Sequence, residues 1–244
     1  MRKPFAALIV VVLSAALASG CNIATKSTPE KTLTEAGNAQ TYSRTEVITS
    51  GEEAKKLLEQ GNTRFSSNKP ASKNIGRSRR EELKSNGQHP FAVVLSCSDS
   101  RVPPEVIFDQ ALGDLFEVRV AGNVVDAVDL GSVEYAVEHL KTPLIVVMGH
   151  EKCGAVTAAV EGGEAPGSIG LIVSKIKPSV DKAKALGVKG EQLVEKTTEL
   201  NVEASIAELE KSPMIKELVE AKRVKIIGAK YHLGTGQVQW LDEK

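Results

Sequence analysis

The chain has 244 residues, and its 31 Lys and Arg balance 31 Asp and Glu, giving a formal charge of zero. That balance provides no field for gathering a polyanion, which argues against nucleic acid as a partner. No internal repeat is evident, and the stretch from Gly51 onward is about the size of one α/β domain.

The N-terminus reads Met1-Arg2-Lys3, then an apolar run from Phe5 to Leu17, then Ala18-Ser19-Gly20-Cys21. A basic start, a short apolar core and a small-residue exit predict a secretory signal peptide over residues 1–20, too short for a comfortable membrane span. Cys21 directly after small residues resembles a bacterial lipobox, with Ala18 standing where Leu is usual. On that reading Cys21 is lipidated, and the protein is exported as a lipoprotein anchored to a membrane of the cell envelope, periplasmic or at the cell surface. Ordinary cleavage near Gly20 is the alternative. Residues 21–50 are rich in Thr, Ser, Glu, Lys, Gln and Asn without apolar period, which predicts a flexible tether.

Residues 51–244 form the expected catalytic domain. Ala54, Leu57, Leu58 and Phe65 make one narrow apolar face, predicting a helix over Glu46–Phe65. Pro90–Cys97 reads as a buried strand, Pro103–Phe108 as a short helix with proline in its first turn, and Leu115–Val120 as a second strand. Leu130–Leu140 is helical by spacing, and Pro143–Gly149 is apolar throughout, as a strand buried on both faces should be. Gly154–Val160 opens a helix, and Val202, Ile206 and Leu209 mark a later one. Val224–Ala229 is a fourth strand, and Gln237–Leu241 is a short edge strand after the turn Leu233–Gly236. Alternating strands and helices predict an α/β fold: a mostly parallel central sheet flanked by helices, with an N-terminal helical arm and a short C-terminal edge strand. Ligands of such sheets bind beyond the carboxyl ends of the strands, where Cys97 and His150 fall.

Two segments carry chemistry. Cys97-Ser98-Asp99-Ser100-Arg101 ends the first strand, and Gly149-His150-Glu151-Lys152-Cys153-Gly154 ends the third. Two thiols and one imidazole are the donor set of a zinc site with three protein ligands and one open position. Cys21 belongs to the export signal and His89, His139 and His232 each stand alone, so nothing closes the set as a structural site would require. A Cys97–Cys153 disulfide is the competing use of these thiols in an oxidising compartment. Asp99 can accept a hydrogen bond from water at such a metal, and Arg101 can hold Asp99 ionised through a forked contact. The alternative for this pair is a surface ion pair at a helix start.

These two segments resemble the signature motifs of the β-class carbonic anhydrases. Gly61–Phe65 resembles that family's entry helix, Asp109–Asn123 its second strand region, and Glu134–Val137 and Tyr231–Leu241 also fit, so the likeness runs from about residue 51 to the C-terminus. The resemblance implies reversible hydration of CO₂ to bicarbonate and a proton by a zinc-activated water, with one Zn²⁺ per subunit held by Cys97, His150 and Cys153. It implies a gating dyad of Asp99 and Arg101, a substrate-orienting Gln110, and Tyr135 either along the same pocket or in the core. It also implies a homodimer or higher homo-oligomer, with the entry helix on the partner or on its own sheet. Two rivals stand beside it: a zinc hydrolase of COS or CS₂, whose relatives keep the same ligands, and a zinc-binding lipoprotein without turnover. The second would be expected had a ligand or dyad residue been lost, and all are present.

Overall fold

The computed structural model describes Arg44 and residues 46–241. The expected signal peptide, the Cys21 lipidation site and most of the expected tether lie outside the described residues. The end of that tether is bound to the domain: Ile48 is buried in the core, and Arg44 stacks its guanidinium 4.9 Å from the Phe91 ring while pairing with Asp114 at 3.2 Å.

Helix α1 spans Gly51–Ser66, five residues later than expected. The Ser50 hydroxyl accepts from the Glu53 amide, and Glu52 and Glu53 occupy the positive first turn, so the helix starts at this cap and not at Glu46. Ala54 and Leu58 are fully buried against Phe91, Phe108 and Met148, so this helix packs on its own sheet. Its residue Gly61 crosses close to the backbone: an added Cβ would stand 1.7 Å from the Phe108 carbonyl oxygen.

Helix α2 (Arg77–Asn86) precedes strand β1 (Ala92–Ser96), helix α3 (Pro104–Ile107) and strand β2 (Leu115–Arg119). A 3₁₀ turn over Ala121–Asn123 leads to helix α4 (Ala127–Glu138), opened by an Asp126–Asp129 capping box, and to strand β3 (Leu144–His150). Helices α5 (Gly154–Glu161), α6 (Ile169–Ala185), α7 (Glu191–Leu209) and α8 (Pro213–Glu220) follow, then strands β4 (Lys225–Tyr231) and β5 (Val238–Trp240).

The five strands form one sheet in the order β2-β1-β3-β4-β5; the first four are parallel and β5 is antiparallel to β4. The mostly parallel sheet and the C-terminal edge strand are as the alternation implied. β3 is buried along its whole length, which its unbroken apolar run demands. One face of the sheet is covered by the segment before α1, by α1 and by α3 with the residue after it, through Ile48, Leu58, Ile107 and Phe108. The other is covered by α4, α7 and α8 through Val133, Val202, Leu209 and Ile215. Among the described residues no helix is long and apolar enough to cross a membrane.

Because β1 and β3 are adjacent and parallel, with Ser96 beside Met148, their carboxyl ends fall on one rim. Cys97 leaves β1 there and His150 ends β3 there. The register places the two motifs together.

Candidate metal centre

Cys97, His150 and Cys153 are all buried, and their donor atoms lie within 4.8 Å of one another. The two sulfurs are 4.0 Å apart and both thiols are free. Two sulfurs on one tetrahedral zinc, each at about 2.3 Å, would stand about 3.8 Å apart. The cluster therefore has the dimensions of a metal site.

The imidazole is oriented for the same purpose. His150 Nδ1 lies 2.9 Å from the carbonyl oxygen of Glu151, which can only accept, so Nδ1 carries the proton and Nε2 presents its lone pair. Nε2 is buried and has no hydrogen-bond partner. A buried acceptor left unmade costs about 1–3 kcal/mol, so an orphan aimed at two thiols fits a cation in that space.

The two thiols are shifted in opposite directions. Cys97 Sγ accepts from the Gly122 amide at 3.3 Å. The Cys153 thiol beside Cys97 lowers its pKa most, with further help from that amide, against burial. Cys153 is shifted upward, by Cys97 taking the anionic role and by burial. It stands at the N-cap of α5, and the amides of Ala155 and Val156 work in the opposite direction.

Asp99 and Arg101 form a forked pair: Arg101 Nε donates to Asp99 Oδ1 at 2.9 Å and its terminal nitrogen to Oδ2 at 2.7 Å. The Arg101 side chain, followed by burial acting the other way and by the Arg101 amide, holds the Asp99 carboxyl well below the usual carboxylate range. Asp99 Oδ2 lies 3.9 Å from His150 Nε2, so the carboxylate borders the space the three donors enclose. Arg119 braces this loop from β2, donating to the backbone oxygens of Cys97 at 3.2 Å and Asp99 at 2.6 Å. Sequence reasoning missed Arg119. Its one signal was a basic residue at the carboxyl end of the strand Leu115–Arg119.

Gln110 and Tyr135 are set differently. Gln110 is buried, and its amide donates to the carbonyl oxygens of Phe108 at 2.6 Å and Leu57 at 3.4 Å, tying the end of α3 to α1. Tyr135 lies half exposed on α4, its ring against Phe116 and His139. Each has a packing role within this chain.

Comparison with known proteins agrees with this geometry. The family model described as carbonic anhydrase matches residues 92–238, which include both motifs and the four parallel strands β1 to β4. A carbonic anhydrase of Mycolicibacterium smegmatis is 42% identical over 189 residues, covering 75% of this chain and 90% of the relative. The chain belongs to the β-class carbonic anhydrases. Among solved structures, the Coccomyxa β-carbonic anhydrase in complex with acetazolamide is similar at a TM-score of 0.62 and 32% identity, over 68% of this chain and 78% of that one. A tetrameric β-carbonic anhydrase from Sordaria macrospora aligns at a TM-score of 0.60 and 28% identity, over 68% of this chain and 92% of its own.

Proposed function

We propose that this chain catalyses the reversible hydration of CO₂ to bicarbonate and a proton at a zinc ion held by Cys97, His150 and Cys153. The observation that carries the reading is the lone pair of His150 Nε2, buried without a partner and facing two thiols at metal-site spacing. Family membership, with a 42% identical relative named carbonic anhydrase, supports the choice of reaction. A zinc ion bound there supplies Lewis acidity towards water at the position its three protein ligands leave open.

The chain's own residues then have separable tasks. The Glu151 carbonyl fixes the His150 tautomer, and the Gly122 amide steadies the Cys97 sulfur. Asp99, kept ionised and oriented by Arg101, accepts a hydrogen bond or a proton from a water in the enclosed space, which makes it the group that gates and relays. Arg119 keeps the loop carrying Asp99 at a constant height over the sheet rim. The protein acts as a homo-oligomer; support comes from the tetrameric Sordaria relative and from the exposed apolar Val106, Leu112 and Tyr135. It is exported and held at a membrane of the cell envelope through Cys21, a reading supported by residues 1–21 of the sequence.

Stopped-flow CO₂ hydration with a pH indicator, run on the zinc-loaded mature chain with COS hydrolysis in parallel, tests the reaction. Hydration exceeding COS turnover is the expected result. Zinc-loaded protein inert towards CO₂ would overturn the proposal.

A further inference from the structure

Helix α7 touches the backbone beside every residue of the metal cluster, and it does so from one face. Its residues Glu195, Thr198, Asn201 with Val202, and Ser205 follow one another at intervals of three or four, so they line one stripe.

Near Cys97, the Asn201 amide donates to the Gly122 carbonyl oxygen at 2.7 Å and Ser205 donates to the Asn123 oxygen at 2.8 Å. Asn201 and Ser205 are both buried. They pin the turn whose Gly122 amide donates to the Cys97 sulfur. Gly122 has φ 71°, and an added Cβ would meet Ile176 at 2.8 Å and Ala155 at 3.1 Å, so the turn packs closely against α5 and α6.

Near His150, the helix lies against Gly149: an added Cβ there would stand 2.9 Å from both Thr198 Cγ2 and Val202 Cγ2. Near Cys153, Glu195 Oε1 accepts from the Lys152 amide at 3.4 Å. Lys152 has φ 51°, in the left-handed region that side-chain-bearing residues adopt infrequently. Glu195 is itself held by Lys230, whose buried ammonium lies 3.0 Å from Glu195 Oε2 and 3.0 Å from Glu199 Oε1. Lys230 sits on β4 beside Gly149.

We infer that α7 is the positioning element of the metal centre: Asn201 aligns the Cys97 sulfur through the Gly122 turn, and Glu195, braced by Lys230, fixes the turn that delivers Cys153. This rests on the metal-site reading above and deepens it. None of these residues touches the reacting atoms. They act on metal affinity and on the electron density of the thiolates, as partners one shell removed from a metal do.

The test compares Asn201→Ala and Glu195→Ala with Leu200→Ala, using the full mature chain. Leu200 is a buried residue of the same helix that packs on Ala183 and Leu193, facing away from the cluster contacts. Zinc dissociation constants come from competition with a chromophoric chelator, and thiolate-to-cobalt charge-transfer bands from Co²⁺-loaded protein. Asn201→Ala and Glu195→Ala should each weaken zinc binding by about tenfold or more. Leu200→Ala should lower the unfolding midpoint and leave zinc affinity within about twofold, as a lesion remote from the ligand turns should. Asn201→Ala should also move the charge-transfer band to lower energy, because a sulfur deprived of an N–H donor is more electron-rich. Should Asn201→Ala fail to fold, Glu195→Ala decides alone, since its side chain is a third exposed. Wild-type affinity in both variants, or an equal loss in Leu200→Ala, would overturn the inference. A wild-type chain that takes up neither ion would overturn the metal-site reading itself, and this inference with it.

Discussion

Replacing Asp99 by Asn separates the chemistry of the dyad from its contribution to the fold. Asp99 receives three hydrogen bonds from Arg101, two through the guanidinium and one from the backbone amide at 2.9 Å. The Arg101 side chain is 53% exposed, so water screens the pair and its net contribution to stability is small. Asparagine keeps the size and an oxygen that can accept from the amide, but it cannot accept a proton. Loss of a positioned proton acceptor costs about 10²- to 10⁴-fold in rate. We therefore expect Asp99→Asn to retain zinc, unfold within a few degrees of wild type, and lose about 10²-fold or more of CO₂ hydration. The checks are stopped-flow kinetics, metal analysis and thermal unfolding on one preparation. Undiminished hydration would refute the role given to Asp99. Loss of zinc together with activity would mean that Asp99 matters for assembling the site and not for handling the proton.

Gly61→Ala should destabilise the chain by about 1–3 kcal/mol, although alanine is the better helix former by about 1 kcal/mol, because its Cβ would run into the Phe108 carbonyl; a raised denaturation midpoint would refute the close crossing of α1 and α3. Glu117, whose carboxyl faces Glu105, is pushed up to about 8 by burial and by that neighbour. A raised pKa in the folded state means that the fold holds a proton the unfolded chain releases, so this group favours folding below the ordinary carboxyl value of 4.5 and that favour is lost as pH rises to about 8. Glu117→Gln should flatten this decline and exceed wild-type stability above about pH 8; parallel thermal-unfolding profiles for the two proteins from pH 5 to 9 would count against the pairing. Cys21→Ala should move the protein from the membrane to the soluble fraction on cell fractionation, and membrane retention of that variant would contradict the lipid anchor.

What could be read from the sequence depended on how each segment is stabilised. β1 and β3 are buried on both faces, so their apolar runs stand out, and the polar motifs that end them mark the rim. α2 escaped because it carries little apolar pattern: Leu83 is its one large aliphatic residue, and buried Arg79 anchors it by donating to the Leu112 carbonyl at 3.0 Å. α6 escaped because Pro178 lies inside it, where proline ordinarily ends a helix; the buried Ile176, Val180 and Ala183 hold it together regardless. The cluster of Cys97, His150 and Cys153 was legible as residue types at a telling spacing. Their supports were not. Gly122, Asn201 and Glu195 act through backbone groups, and nothing in a sequence says which distant amide a side chain will hold. Gln110 was legible as a polar residue near the motif, but its hydrogen bonds to the Phe108 and Leu57 carbonyls, which tie α3 to α1, were not.

The central claim is a metal bound by two sulfurs and one imidazole. X-ray absorption at the zinc edge, on wild-type protein purified under reducing conditions, tests it directly. One zinc per chain with two sulfurs at about 2.3 Å and a nitrogen at about 2.0–2.1 Å is the expected result. A metal-free protein, or a zinc shell lacking two sulfurs, would contradict it.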